Sequence, residues 1–269
     1  MRLGGYEWDF RKIYIMGILN VTPDSFSDGG NYMNLDSQLY RAEQMIQEGA
    51  DILDIGGEST RPGAEAVTAE EEKNRVLPIV EAIHSRFEIP ISVDTYKAEV
   101  AGEAIERGAG MINDIWGGSY DQKMAPMVAA HPDVAFCLMH NRRNAQYRDF
   151  SKEVVNDLHK SLGRVLDAGV NPGQLLIDPG IGFAKSHEQN LYLLNHLEIL
   201  KELGYPILLG TSRKRIVGLT LNLPTEERLE GTLATNVIGM MKGARVLRVH
   251  DVKAHRRLAD MTEAVLQAE

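Results

Sequence analysis

The sequence contains one cysteine and no long run of apolar residues. A single thiol, Cys137, can form neither a disulfide within the chain nor a CxxC metal site, which favours a reducing compartment. No stretch approaches the roughly 18 apolar residues that a membrane-spanning helix needs. Residues 1–12 carry several charges and lack the apolar core of a signal peptide. We therefore expect a cytoplasmic protein with no membrane partner.

The chain also has fewer basic residues than acidic ones. The 269-residue chain has 29 lysines and arginines against 38 aspartates and glutamates, a formal net charge of −9. This balance argues against a general polyanion-binding surface, so no nucleic-acid partner is expected. Hydrophobic residues make up 43% of the chain and charged residues 25%, which excludes a wholly disordered protein.

The glycine motifs of nucleotide-binding sheets are missing as well. No GxGxxG follows the first predicted strand, and no GxxxxGK[ST] occurs in the sequence. What is present is one pattern repeated eight times, a short apolar run followed by a longer segment of helical period. The predicted strands are 13–21, 51–57, 89–95, 111–116, 134–139, 175–178, 206–210 and 245–249. The predicted helices are 35–48, 68–86, 97–107, 122–130, 152–167, 188–203, 225–242 and 252–267.

Eight β–α units can form either an open doubly wound sheet or a closed barrel. Several runs, such as 134–139, are apolar at consecutive positions, which is typical of parallel strands covered on both faces. Because the motifs of an open nucleotide-binding sheet are absent, we predict the class α/β. The expected fold is a (β/α)8 TIM barrel that forms a single domain over residues 1–269.

Hydrogen-bonding side chains follow every predicted strand, whereas the strand starts carry no such ring. Barrel enzymes place their catalytic groups at the carboxyl ends of the strands, so these side chains are expected on one rim. The residues in question are Asn20, Glu58, Asp94, Asn113 with Asp114, His140, Asp178, Ser212 to Lys214, and Arg248 to Asp251.

The residue types at the strand ends suggest a ligand. Asp94, Asn113 and Asp178 offer mostly acceptors, which suit a flat heterocycle with adjacent N–H and NH₂ groups. A second set of cationic or donor residues suits a phosphate or diphosphate; it comprises Arg61, Lys214, Arg248 and His250. Asn20 has a neutral oxygen that can bind Mg²⁺ together with phosphate oxygens.

Structural alternatives exist for single positions. Asp94 and Asp178 could instead cap loop N–H groups, because aspartate is common in turns. Arg248 could pair with an acid inside the barrel, and His140 is interpreted as a histidine at the rim. Met139 could serve packing alone, although it lies near a strand end.

Two long glycine-rich segments carry a specific resemblance. Residues 17–30 (GILNVTPDSFSDGG) and 56–63 (GGESTRPG) resemble the first two signatures of the dihydropteroate synthase family. Shorter matches follow in the family's order: SVDT at 92–95, IND at 112–114, LMH at 138–140, DPGIGF at 178–183, TSRK at 211–214 and RVHD at 248–251. The resemblance covers essentially the whole chain, although Arg215 stands where the family pattern has serine.

The resemblance implies a transferase of folate biosynthesis. Its family condenses 6-hydroxymethyl-7,8-dihydropterin diphosphate with 4-aminobenzoate to 7,8-dihydropteroate and pyrophosphate, with Mg²⁺ as cofactor. The implied catalytic residues are Asp94, Lys214, Arg248 and Asp28. The implied substrate-binding residues are Asn113, Asp178, Thr60, Arg61, Pro62, Phe183, Met139, His250 and Phe26, and the implied metal ligand is Asn20. An S_N1-like step without a covalent enzyme intermediate is expected, as is inhibition by sulfonamides that mimic aminobenzoate.

The resemblance also implies a homodimer, formed through helices such as 225–242 and 252–267. Two other functions stay open on the sequence. One is a pterin-dependent methyltransferase domain, which would not need the Arg61 loop or the diphosphate-binding cations. The other is a non-catalytic pterin-binding protein, which would release no pyrophosphate.

Overall fold

A short hairpin precedes eight parallel strands that close into a barrel. The computed structural model describes residues 1–21, 30–58 and 67–268. The hairpin consists of β1 (Arg2–Leu3) and β2 (Tyr6–Glu7). The barrel strands are β3 (Tyr14–Asn20), β4 (Ile52–Gly56), β5 (Ile91–Asp94), β6 (Met111–Asp114), β7 (Ala135–Met139), β8 (Leu175–Asp178), β9 (Ile207–Leu209) and β10 (Ala244–Val249). The predicted TIM barrel and all eight predicted strands are confirmed, with ends that differ by one or two residues.

Helices lie between the strands and cover the outside of the barrel. They are α1 (Gly30–Gln47), α2 (Ala69–Arg86), α3 (Ala98–Glu106), α4 (Met124–Ala129), α5 (Phe150–Asp167), α6 (His187–Asn195), α7 (Arg215–Leu221), α8 (Leu229–Met241) and α9 (Val252–Gln267). Side-chain caps fix several starts: Thr68 accepts from the Glu71 N–H at 3.2 Å, and Ser186 forms a capping box with Gln189. None of the described helices is long and apolar enough to cross a membrane.

Three helix predictions were wrong in detail, and one helix was missed. Helix α1 begins at Gly30, five residues before the predicted start at Leu35. The segment 188–203 is two pieces, because α6 ends at Asn195 and a 3₁₀ helix, Leu197–Leu203, continues the chain. Thr225 starts only a 3₁₀ turn, and α8 begins at Leu229, after the Arg228 side chain has turned back to bond the carbonyls of Leu223 and Arg213. Helix α7 was missed; it has only 7 residues, too few for a helical period to stand out in the sequence.

The amino end of the barrel is plugged. Leu3 and Trp8 are buried in an inner cluster with Tyr14 and Met111, and the Trp8 and Tyr14 rings stack with centroids 3.9 Å apart. Aromatic stacking and burial thus close this end. The carboxyl ends of the strands face the opposite end, where polar side chains collect.

Candidate active site

Strand alternation turns one set of side chains into the barrel. The inner cluster contains Met16, Ile52, Met111, Cys137, Leu176, Leu208 and Val246, one from each of seven strands. Because side chains repeat every second residue, the positions two or four further along face the same way. Those positions are Asn20, Gly56, Asn113, Met139, Asp178, Gly210 and Arg248. Glycine at two of them leaves room above the apolar plug for a ligand.

Arg248 is held between two carboxylates. Its Nε donates to Asp54 Oδ2 at 2.5 Å, and its Nη2 donates to Asp94 Oδ2 at 2.6 Å. Asn113 Nδ2 also donates to Asp54 Oδ2, at 3.4 Å. These contacts bring together residues separated by 194 and 154 positions in the sequence. The expectation that Arg248 could pair with a barrel acid is met, and Asp94, Asn113 and Arg248 lie side by side.

The same pairing shifts the protonation equilibria. Burial raises the pKa of Asp94 to about 7, opposed by the charge of Arg248 and reinforced by that of Asp54. Burial disfavours the Arg248 cation, but Asp54 and Asp94 outweigh it and hold the pKa of Arg248 above its ordinary value. Arg248 is therefore a permanent cation beside a carboxyl group that titrates near neutrality.

Asp178 and Lys214 form the other side of the site. Asp178 Oδ1 accepts the Gly180 N–H at 2.7 Å, and burial raises its pKa. Lys214 Nζ donates to the Ile181 carbonyl at 2.7 Å and lies 4.9 Å from the centre of the Phe183 ring. Burial lowers the pKa of Lys214 to about 8, opposed by the charge of Asp178. Phe183, Asp178 and Lys214 are thus one local group.

Three more of the predicted residues lie on the same rim. Asn20 ends β3. A Cβ added to Gly56 would lie 3.9 Å from Asn20 Oδ1 and 3.6 Å from Asp94 Cβ, so both side chains lie beside Gly56. Met139 ends β7 and is buried. His250 follows β10 and contacts the Ser212 hydroxyl through Nδ1 at 2.9 Å. Asp28, Phe26, Thr60, Arg61 and Pro62 lie outside the described residues.

Some polar residues at strand ends serve the scaffold instead. Glu58 accepts from Lys97 Nζ at 2.5 Å and from the Tyr96 hydroxyl at 2.8 Å. Asp114 accepts the N–H groups of Trp116 and Gly118. Asp114 therefore caps a turn, and its side chain points the opposite way from that of Asn113. The capping alternative raised for Asp178 is also met, because Asp178 accepts the Gly180 N–H.

Sequence reasoning missed Asp54 and the burial of His140. Asp54 is fully buried in the middle of β4, where a lone charge in the apolar run 52–56 was the available signal. His140 was interpreted as a rim histidine but is only 2% exposed, and its Nδ1 contacts Lys185 Nζ at 2.8 Å. No periodicity in the sequence singles out Lys185.

Comparisons with known proteins agree on one family. The sequence pattern of the family described as "Pterin binding enzyme" matches residues 16–250. A dihydropteroate synthase of Clostridium beijerinckii is 55% identical over 269 residues, covering 99% of this chain and 100% of that protein.

Two solved structures are similar over nearly their whole length. A Clostridium difficile dihydropteroate synthase in the presence of pteroic acid has a TM-score of 0.94 at 45% identity and covers 97% of this chain and 100% of its own. A Xanthomonas albilineans dihydropteroate synthase with 4-aminobenzoic acid has a TM-score of 0.94 at 43% identity and covers 100% of this chain and 99% of its own.

Proposed function

The chain belongs to the dihydropteroate synthase family of pterin-binding transferases, and we propose that it joins 6-hydroxymethyl-7,8-dihydropterin diphosphate to 4-aminobenzoate with release of pyrophosphate. The observation that carries the proposal is the grouping of two acids, Asp94 and Asp178, with two cations, Lys214 and Arg248, at one end of the barrel. Acids suit the donor edge of the ring, and cations suit its departing diphosphate.

Recognition of the pterin follows from the inward-facing acceptors. A 2-aminopyrimidinone edge presents adjacent N–H and NH₂ donors, which pair with the carboxylate of Asp178 and the amide of Asn113. Asp178 is buried and already oriented by the Gly180 N–H, so little side-chain freedom is lost when the ring binds. Asp94 would complete this half of the site from β5.

The reaction would be dissociative. Cleavage of the pterin CH₂–O bond leaves positive charge on the pterin and negative charge on pyrophosphate. Asp94 and Asp178 stabilise the cationic fragment, while Arg248 and Lys214 stabilise the leaving group in a partly water-excluded site. The aniline nitrogen of aminobenzoate is neutral near pH 7 and attacks the carbon, then loses its proton. No enzyme nucleophile is needed, so no covalent adduct should form.

Mg²⁺ fits the rim as an ion held mostly by substrate. Within residues 1–21, 30–58 and 67–268 no three His, Cys, Asp or Glu side chains form a metal-binding group. Asn20 supplies one neutral oxygen close to Asp94 and Gly56, which suits an ion that binds phosphate oxygens and retains water. When bound, the ion would neutralise charge on the diphosphate. Arg248, Lys214 and His250 would orient the diphosphate.

Aminobenzoate would lie against Phe183. The ring of Phe183 is partly exposed and holds Lys214 Nζ at 4.9 Å, so an aromatic substrate could pack beside an existing cation–π contact. Thr60 and Pro62 stay predicted contacts for this substrate, and Asp28 and Phe26 stay predicted parts of the first loop. Sulfonamides are expected to compete for the same place.

The experiment is a pyrophosphate-release assay with each substrate alone, both together, and both with a metal chelator. Release should be fastest with both substrates, should be absent with aminobenzoate alone and should fall on chelation. Arg248→Gln should lose about a hundredfold or more of the activity. It should still bind 6-hydroxymethylpterin, whereas the exposed control Arg86→Gln should match wild type. A reaction with both substrates that forms no 7,8-dihydropteroate, or equal loss of binding and turnover in Arg248→Gln, would contradict the proposal. A pterin adduct found by mass spectrometry of quenched enzyme would contradict the dissociative step.

We also propose a cytoplasmic homodimer. Apolar side chains are exposed on late helices, with Met241 61% exposed on α8 and Met261 65% exposed on α9. Light scattering should give twice the mass of the chain, and Met241→Asp should shift the mass toward that of a monomer. A wild-type monomer at micromolar concentration would contradict this proposal.

A further inference from the structure

Lys185 lies in the loop of residues 179–186 that joins β8 to α6. Its Nζ is 2.8 Å from His140 Nδ1, 2.9 Å from the Gly180 carbonyl oxygen and 3.1 Å from the Phe183 carbonyl oxygen. The protonated amine has three donors, which match these three acceptors, while burial lowers the pKa of Lys185 to about 7 against the opposing charge of Asp178. The side chain is therefore fixed by the loop that it spans and by the end of β7.

His140 continues the contact to helix α5. Burial lowers the pKa of His140 to about 4, so the ring is neutral at pH 7. Because Nδ1 accepts from Lys185, the ring proton lies on Nε2, which donates to Asp157 Oδ2 at 3.3 Å. Arg142 Nε donates to the same oxygen at 2.5 Å. The 179–186 loop is thus tied through Lys185 to β7 and α5.

The conformation of this loop depends on such ties. Gly180 has φ +67°, and Ala184 has φ +46°, a left-handed value that is unfavourable for an alanine. A Cβ on Gly180 would lie only 2.0 Å from the His140 carbonyl oxygen, which shows how closely the loop approaches β7. Local preference alone would not select this path.

Two predicted substrate residues are placed by the same loop. The Lys185 bonds to the Gly180 and Phe183 carbonyls bracket Ile181, whose own carbonyl accepts from Lys214 Nζ. Removal of the Lys185 amine would release the Phe183 carbonyl and leave the Gly180 carbonyl with its backbone bond from the Phe183 N–H at 3.1 Å. The Phe183 ring and the Lys214 ammonium would then lose their fixed separation.

We propose that Lys185 is a positioning residue that sets the place of Phe183, and thereby the affinity for the aromatic amine substrate, without touching the reacting atoms. This inference rests on the proposed function. It assigns this half-buried lysine a role in the site that is distinct from catalysis and from global stability.

The test compares Lys185→Met with wild type and with the exposed control Lys123→Met. Pyrophosphate release is measured with each substrate varied in turn, and thermal unfolding is measured beside it. The KM for 4-aminobenzoate should rise between about tenfold and a hundredfold in Lys185→Met, as expected for a misplaced binding group. Both kcat and the KM for the pterin diphosphate should change by less than about threefold. In a Phe183→Leu background the effect of Lys185→Met on the aminobenzoate KM should shrink to less than about threefold, because both changes act on one contact.

A second variant covers the case in which Lys185→Met does not fold. Lys185→Arg keeps the charge and bulk, but its planar guanidinium cannot place one nitrogen among three acceptors, so it should also raise the aminobenzoate KM. An unchanged KM in a folded variant, an equal rise in both KM values, a fall in kcat alone, or additive effects with Phe183→Leu would each overturn the inference. If wild type itself releases no pyrophosphate, the proposed function fails instead.

Discussion

Replacing Asp54 by asparagine tests whether Arg248 is oriented by a buried acid. Asp54 is fully buried, and its Oδ2 accepts from Arg248 Nε at 2.5 Å. Asparagine has nearly the same shape and retains one acceptor oxygen, so it removes the charge without opening a cavity. Arg248 keeps its bond to Asp94 at 2.6 Å and is not left without a counter-charge.

The expected loss of stability follows from that geometry. Removing one partner of a buried ion pair costs about 3–5 kcal/mol when the other is left unpaired. A single hydrogen bond to a charged group is worth about 1.5–3 kcal/mol. With Asp94 still in place, a loss of about 2 kcal/mol is expected, which lowers Tm by about 4–8 °C for a chain of this size. The charge of Asp54 also helps to raise the pKa of Asp94, so the pKa of Asp94 should fall in the variant.

Two assays check this prediction. Differential scanning calorimetry gives the change in Tm, and the pH dependence of kcat/KM for pyrophosphate release gives the titration of the free enzyme. The acid limb should move to lower pH in Asp54→Asn. The control is Asp133→Asn, whose carboxylate is 68% exposed and 3.5 Å from Arg2, and which should cost less than about 1 kcal/mol. Wild-type Tm together with an unmoved acid limb would refute the role given to Asp54.

Three further perturbations address other parts of the site. The pKa of Asp94 is raised to about 7, so its proton contributes stability below about pH 4 that is lost as the pH rises towards 7. Thermal unfolding of Asp94→Asn should therefore improve relative to wild type over that range, and a constant difference would contradict the shift. The pKa of Lys214 is lowered to about 8, so kcat/KM should fall above about pH 8. Lys214→Arg should abolish that fall, and a wild-type profile flat to high pH would argue against a required ammonium. Gly180→Ala places a Cβ 2.0 Å from a carbonyl oxygen, whereas Gly204→Ala has φ +77° but open space. By calorimetry, Gly204→Ala should lower the free energy of unfolding by about 1 kcal/mol, and Gly180→Ala should lower it by several times more. Equal losses would mean that backbone strain alone, without the steric clash, sets the cost of the substitution.

The barrel was predictable because its signal is repeated and local. Each strand is a short apolar run, and each helix shows a helical period. The start of α2 is also local, because the Thr68 side chain accepts from the Glu71 N–H. The break at His196 was not predictable, since the segment 188–203 has one continuous pattern and contains no glycine or proline. Short α7 was missed for lack of length.

Site residues at the ends of strands could be predicted from the sequence, whereas those inside a strand or farther along a loop could not. Asp94, Asp178 and Arg248 follow from the rule that barrel sites lie at carboxyl ends. Asp54 lies two residues before the end of β4. It points into the barrel because it is two positions from Gly56, and residues two apart on a strand face the same side. Lys185 reaches its partners across a loop with left-handed backbone positions, and that path depends on tertiary contacts rather than on residue order.

The paired acids give Arg248 a fixed direction before any ligand arrives. A guanidinium has five N–H groups, and in the described part of the chain two of them donate to Asp54 and Asp94. Donors of Arg248 that these two acids do not use can bind phosphate oxygens, and the side chain is already oriented when the diphosphate binds. Asp94 takes part in both halves of the site, because it holds the cation proposed for the leaving group and faces the space proposed for the ring. A pterin that drew Asp94 toward its N–H edge would weaken one bond to Arg248 and leave Asp54 as the remaining anchor. Asp54→Asn should therefore harm turnover more than it harms binding of free pterin, and the reverse order would contradict this division of roles.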